Sequence, residues 1–117
     1  MNKFSPILMG ATIVGQQVEN HLEAVKRRIV DAFNPNKIIL FGSYGKPTQD
    51  SDLDLLVVME SDDRPVERAT KVSKVLRPRP FPMDILVRTP EEIQHRLAIG
   101  DQFIREILER GRILYEQ

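Results

Sequence analysis

Apolar residues recur at helical spacing from Gln16 to Phe33, and charged residues occupy most of the intervening positions. This pattern predicts an amphipathic helix with one buried face, which Asn34-Pro35-Asn36 ends. The inner stripe consists of Val18, Leu22, Val25, Ile29 and Phe33.

Residues 1–15 lack a stripe of this kind. Pro6 and Gly10 interrupt a short, modestly apolar run there. We therefore predict an N-terminal arm over residues 1–15 that is loosely ordered or packs on a partner. A single domain over residues 16–117 follows it, in keeping with common domain sizes.

Three short apolar runs predict β-strands, because β-branched and aromatic residues are concentrated in them. They are Lys37 to Phe41, Leu53 to Met59 and Met83 to Arg88. A loop rich in Gly, Ser, Pro and Asp joins the first two. The stretch "RPRPFP" before the third is too rich in proline for helix interior and predicts an extended arm.

Helical signals follow the second and third strands. Pro65 suits the first turn of one helix, and Thr89-Pro90-Glu91-Glu92 is a capping-box sequence that begins another. Gly100-Asp101 breaks and restarts that helix, Gly111 ends it, and Arg112 to Tyr115 predicts a short last strand. The order of elements predicts an α+β fold, an α/β sandwich with a small mixed sheet and helices packed on one side.

Composition narrows the classes of function. The chain has 117 residues, 41% of them apolar, and 17 basic residues balance 17 acidic ones. A neutral balance argues against strong nucleic-acid binding. The absence of cysteine excludes disulfides, thiolate metal sites and cysteine nucleophiles. It also suits a reducing compartment, and we expect a cytoplasmic protein. No apolar run is long enough to span a membrane.

Two aspartates stand at the start of the second strand. Side chains alternate along a strand, so Asp52 and Asp54 point to the same face while Leu53 and Leu55 point to the other. Two neighbouring carboxylates repel each other, and a divalent cation relieves that repulsion. Mg²⁺ prefers such oxygen ligands and completes its shell with water and phosphate.

A third carboxylate lies in the next strand, within the apolar run "FPMDILV". A charge there is costly unless it is paired or binds metal, so Asp84 is a further candidate ligand. If the two strands are neighbours, the three aspartates converge. Three carboxylates suffice for two metal ions about 3.5–4 Å apart, the arrangement used in phosphoryl transfer.

Gly42-Ser43 directly follows the first strand. Glycine allows a ligand to approach the backbone closely, and the N–H groups of such a turn bind phosphate oxygens. A glycine-serine pair is a weak signal by itself. It becomes specific when Asp52-Leu53-Asp54 and a later strand aspartate accompany it.

These motifs together resemble the nucleotidyltransferase superfamily that includes DNA polymerase β. Two sequence segments are similar to its minimal nucleotidyltransferase branch, "FGSYGKPTQDSDLDLLVV" and the C-terminal "FIREILERGRILYE". Members of this branch are antitoxin-like partners of HEPN-domain toxins. The resemblance covers the chain from Gln16 to its end. It implies a small mixed sheet with flanking helices, two Mg²⁺ ions, ATP or another NTP as donor, and transfer of a nucleoside monophosphate to a hydroxyl.

The resemblance also implies roles for single residues. Gly42 and Ser43 would bind the triphosphate, with Lys46 as a further phosphate ligand. Asp52 and Asp54 would bind both metals. Asp84 would bind the catalytic metal and help to activate the acceptor hydroxyl. Tyr44 either packs on the neighbouring helix or stacks on a base.

The expected function is therefore Mg²⁺-dependent transfer of AMP, or another NMP, to a tyrosine of a HEPN-type toxin, with the protein acting as antitoxin. The link between Ser43 and Asp52 is shorter than is usual in this branch. A binding module that neutralises its partner by complex formation, with little or no catalysis, is the alternative. A small-molecule nucleotidyltransferase is a third reading. The sequence does not specify the oligomeric state, and it is compatible with a homo-oligomer.

Overall fold

The computed structural model describes residues 6–42, 53–78 and 82–117, with side chains from residue 16 onward. Its elements are α1 (Pro6–Phe33), β1 (Lys37–Leu40), β2 (Leu53–Val58), α2 (Pro65–Val75), β3 (Met83–Arg88), α3 (Pro90–Ala98), α4 (Gln102–Arg110) and β4 (Arg112–Glu116). Across these residues, no helix is both long and apolar enough to cross a membrane.

The four strands form one mixed sheet in the order β3-β2-β1-β4. β1 is antiparallel to both β2 and β4, whereas β2 and β3 are parallel. The two parallel strands are joined by α2, the crossover connection that a parallel pair requires. The predicted α+β fold with a small mixed sheet is confirmed.

The sheet is buried on both faces. One hydrophobic cluster joins it to α1 and α2, and its members include Leu22, Ile29, Ile38, Leu55, Val57 and Val72. A second cluster joins the opposite face to α3 and α4, and it comprises Ile39, Leu56, Val58, Ile93, Ile104 and Ile107. We call these two surfaces the α1/α2 face and the α3/α4 face.

This arrangement corrects one detail of the predicted fold. Helices were expected on one side, but α3 and α4 cover the side opposite α1 and α2. The central strand β2 requires helices on both sides, because its residues Leu55 and Leu56 point to opposite faces and both are 0% exposed. A strand that is apolar on both faces needs a cover on each of them.

The first helix differs from the prediction in its starting point. It begins at Pro6 rather than Gln16, so residues 6–15 continue the same helix. Proline is compatible with the first turn of a helix, which explains why Pro6 begins this one rather than preventing it. The predicted role of residues 1–15 as an arm that packs on a partner stays a prediction.

Capping residues place the ends of α3 and α4 where the sequence predicts them. The Thr89 hydroxyl accepts from the Glu92 N–H at 3.1 Å, and the Thr89 N–H donates to the Glu92 carboxylate at 2.9 Å, which forms the predicted capping box. Gly100 has a φ of 82° between α3 and α4. Asp101 then caps α4 by accepting from the Ile104 N–H at 3.1 Å.

Candidate active site

Asp54 and Asp84 are direct partners in the parallel pair formed by β2 and β3. Each is the second residue of its strand, so both stand at the same end of the sheet. Alternation places them on the α3/α4 face, together with Leu56 and Leu86. The two strands are thus neighbours, as the predicted convergence of the aspartates requires, and the roles of Asp54 and Asp84 stay predictions.

The burial of the two carboxylate residues differs. Asp84 is exposed, on a strand that forms one edge of the sheet, whereas Asp54 is partly buried on the strand beside it. Within the part of the chain that the structure describes, no strand lies beyond β3. A ligand that approaches along this edge would reach Asp84 first.

Gly42 lies at the same end of the sheet. The Phe41 N–H donates to the Asp54 carbonyl oxygen at 2.9 Å, which extends the antiparallel pairing of β1 and β2 by one residue. Gly42 follows immediately and is buried. The predicted phosphate-binding turn therefore begins beside the aspartate pair, as the order of the strands requires.

Three predicted site residues fall outside the part of the chain that the structure describes. They are Ser43, Lys46 and Asp52. Tyr44 lies in the same segment. Their predicted roles follow from the sequence alone.

The donor set suits a hard divalent cation. Two carboxylates on one face of adjacent strands offer oxygen ligands of the kind that Mg²⁺ binds, and the Asp84 residue is exposed. Among the described residues, no group of three His, Cys, Asp or Glu side chains is close enough to hold a metal. Asp52, the remaining carboxylate that the sequence predicts as a metal ligand, is not one of the described residues.

An aromatic pair borders the aspartates on the β1 side. The rings of Phe41 and Phe103 meet edge to face, with centroids 5.7 Å apart and an interplanar angle of 83°. Phe41 packs against the hydrophobic cluster of the α3/α4 face, the face that carries Asp54. Only Tyr44 is predicted from the sequence as an aromatic neighbour of the site, because nothing local connects α4 with β1.

Another polar cluster lies at the opposite end of β3. A cavity of about 570 Å³ there is lined by Pro65, Arg88, Glu91, Glu92, His95 and Arg96. Asp84 is at the start of β3 and Arg88 at its end, so this cavity is not adjacent to the aspartate pair. Its most buried charged neighbour, Arg68, donates two hydrogen bonds to Glu92.

Comparison with known proteins decides the family. The model of the nucleotidyltransferase domain matches residues 18–114, which is most of the chain. The chain belongs to the nucleotidyltransferase domain family. It is also 38% identical over 82 residues to a Methanocaldococcus jannaschii protein named "Putative protein adenylyltransferase". The aligned region covers 68% of this chain and 77% of that protein. No solved structure gives a significant match.

Family membership gives the site its general chemistry. The protein is a nucleotidyltransferase, and enzymes of this family generally use a nucleoside triphosphate together with a divalent metal. The activity is the transfer of a nucleoside monophosphate. The aspartate pair and Gly42 lie at one end of the sheet, where the fold brings β1, β2 and β3 together.

Proposed function

We propose that this protein is a Mg²⁺-dependent protein adenylyltransferase, which transfers AMP from ATP to a hydroxyl group of a protein. The observation that carries the proposal is the register of Asp54 with Asp84 beside Gly42. The name of the M. jannaschii relative supports a protein as acceptor. Another nucleoside triphosphate as donor is compatible with the same geometry.

In this proposal, different residues of the site bind the triphosphate and the metal ions. Backbone N–H groups at Gly42 and Ser43, with Lys46, would bind the triphosphate. Asp52, Asp54 and Asp84 would hold two Mg²⁺ ions. Metal bound there supplies charge neutralisation for the phosphates and makes the acceptor hydroxyl more acidic.

The acceptor would approach from the edge of the sheet, because Asp84 is the exposed member of the pair. Asp84 would accept a hydrogen bond from the incoming hydroxyl and so orient its oxygen toward the α-phosphorus. A bond forms between that oxygen and the α-phosphorus, and the bond from the α-phosphorus to the bridging oxygen breaks. Pyrophosphate leaves, and the hydroxyl proton passes to a carboxylate or to water.

The proposed acceptor is a tyrosine of a HEPN-type toxin, and AMP transfer to it would make this protein an antitoxin acting in the cytoplasm. The similarity of "FGSYGKPTQDSDLDLLVV" to the minimal nucleotidyltransferase branch supports this assignment. The absence of cysteine suits a reducing compartment.

The test is label transfer from α-labelled ATP with Mg²⁺ to a HEPN-type protein encoded beside this chain. Wild type is compared with Asp54→Asn and Asp84→Asn, and with Asp62→Asn as a control for loss of an exposed carboxylate in the turn before α2. We expect labelled partner with wild type and the control only. If wild type transfers no label although all four proteins bind the partner, the protein is a binding module and the proposal is wrong.

A further inference from the structure

Phe41 stands beside Asp54 on the sheet. Its N–H donates to the Asp54 carbonyl oxygen at 2.9 Å, and its side chain packs on the α3/α4 face. The side chain of Asp54 alternates onto that same face. One aromatic ring is thus the lateral neighbour of one carboxylate of the candidate active site.

Phe103 extends this aromatic surface away from the sheet. Its ring meets the ring of Phe41 edge to face at 5.7 Å, and the residue is 56% exposed. The buried residues of α4 are Ile104 and Ile107, so the helix is anchored without it. Phe103 therefore presents aromatic area to solvent that the core does not need.

The position across the sheet indicates which substrate meets this surface. The strands run in the order β3, β2, β1, with Asp84 on the first, Asp54 on the second and Phe41 directly after the third. Gly42 of the phosphate-binding turn directly follows Phe41. The aromatic pair thus lies on the triphosphate side of Asp54, and the exposed Asp84 is left to the acceptor.

We propose that Phe103, supported by the edge of Phe41, stacks on the base of the bound nucleoside triphosphate. The proposal rests on the function proposed above. Aromatic rings stack on the π-face of any base, so this contact adds affinity without selecting among bases. It also explains why a large aromatic side chain stays exposed beside a polar site.

Binding of Mg²⁺·ATP and of Mg²⁺·tripolyphosphate to the purified protein tests the proposal, because tripolyphosphate has the phosphates but no base. Loss of one stacked base corresponds to roughly 5- to 150-fold in affinity. We expect Phe103→Ala to weaken ATP binding within this range and to leave tripolyphosphate binding unchanged. Phe103→Trp should restore ATP binding, whereas Phe103→Leu, which keeps apolar bulk, should not.

Val66→Ala is the matched control, since Val66 is an apolar residue on α2 that is 77% exposed. Equal ATP affinity for wild type and Phe103→Ala would overturn the stacking proposal alone. If Phe103→Ala also loses tripolyphosphate binding, or if Phe103→Leu fully restores ATP binding, the stacking proposal is wrong and Phe103 only packs against the protein. Wild type that binds tripolyphosphate and ATP equally also contradicts stacking, and wild type that binds neither ligand contradicts the proposed function itself.

Discussion

Asp54 lies directly opposite Asp84 in the parallel pair of β2 and β3, and the two carboxylates share one face. Adjacent strands are about 4.7–4.9 Å apart, and like charges at paired positions destabilise a sheet. The chain has these two carboxylates at one end of a sheet that is otherwise strongly apolar. A bound cation would turn the repulsion into a source of stability.

The first prediction is that Mg²⁺ raises the thermal stability of wild type and has a smaller effect on Asp84→Asn. Ligands that bind only the folded state stabilise it, by about 2.7 kcal/mol at a concentration 100 times the Kd. Without Mg²⁺, Asp84→Asn should unfold at the same temperature as wild type or above it, because one repelling charge is gone. Thermal unfolding with and without Mg²⁺ measures both effects.

Asp62→Asn is the control for this prediction and should respond to Mg²⁺ as wild type does. We also expect Asp84→Asn to lower the rate of label transfer by more than about a hundredfold, since a metal ligand contributes several kcal/mol to phosphoryl transfer. An equal Mg²⁺ shift in wild type and Asp84→Asn would show that the metal binds elsewhere.

Much of this site could be predicted from sequence because its signals are local. The D-x-D spacing, the aspartate inside "FPMDILV" and the glycine after β1 each follow from a few adjacent residues. The structure adds the register, and with it the fact that Asp54 and Asp84 meet. That fact depends on strand order, which no local pattern specifies.

The features that sequence reasoning missed are contacts between distant segments. Phe103 meets Phe41 only because α4 folds back over β1, and Arg68 meets Glu92 only because the chain brings α2 and α3 together. The distribution of helices over both faces has the same origin. The nearly continuous apolar run of β2 shows that both faces are buried, but it does not specify which helix covers each one.

The second prediction concerns the ion pair between Arg68 and Glu92, which joins α2 to α3 around the end of β3. The two guanidinium nitrogens donate to the carboxylate at 2.6 and 3.2 Å, and the Arg68 side chain is 6% exposed whereas that of Glu92 is 36% exposed. Removing the carboxylate leaves a buried cation, while removing the guanidinium leaves a carboxylate that water can reach.

Glu92→Gln should therefore lower the free energy of unfolding by about 2 kcal/mol, and Arg68→Met by about 1 kcal/mol or less. Denaturant unfolding of both variants measures the difference. Glu91→Gln, on the same turn of α3, is the control and should behave like wild type. A larger loss in Arg68→Met than in Glu92→Gln would contradict this order.

The third prediction is the pH dependence that this pair causes. The hydrogen bond from Arg68 holds the pKa of Glu92 below its ordinary value, partial burial opposes this, and the Thr89 N–H adds to the lowering. A carboxylate with a lowered pKa in the folded state stabilises it fully above the ordinary value of about 4.3. That stability is lost as the pH falls from there through the lower folded-state value.

Wild type should thus lose stability over this acidic range more steeply than Glu92→Gln, whose amide does not titrate. The free energies of unfolding of the two proteins, measured from pH 6 downward, should converge as the pH falls. Parallel curves would exclude Glu92 as a source of the acid sensitivity. Glu19, whose pKa the Arg112 guanidinium also lowers, contributes equally in both proteins and cancels in the comparison.

The fourth prediction is that the second bidentate pair, Arg112 with Glu19, contributes little. Its distances are 2.7 and 2.6 Å, against 2.6 and 3.2 Å in the first pair, but both side chains are more than 40% exposed. Solvent screens such pairs, which typically contribute about 0.2–1 kcal/mol. Arg112→Gln should lower stability within this range at low salt and by less at high salt. A salt-independent loss would contradict a screened ion pair.

The fifth prediction compares two glycines that end neighbouring helices. A Cβ at Gly111 would lie 2.5 Å from the Ile107 carbonyl oxygen and would also overlap Cγ2 of Ile39, whereas a Cβ at Gly100 would meet nothing within 4 Å. Gly111→Ala should cost about 1–3 kcal/mol, because Ile39 is a core residue and the carbonyl belongs to α4. Gly100→Ala meets only backbone strain at its φ of 82°, about 1–2 kcal/mol.

The two variants should differ in what rescues them. Ile39→Leu in the Gly111→Ala background removes Cγ2 of Ile39, because leucine is not branched at Cβ, and space for the new Cβ should recover part of the loss. The same Ile39→Leu change should not help Gly100→Ala, since its strain lies in the backbone. Gly100→Asn should recover stability instead, because asparagine tolerates positive φ better than alanine. Denaturant unfolding of the single and double variants measures the coupling, and strictly additive losses for Gly111→Ala with Ile39→Leu would show that the predicted overlap is relieved in another way.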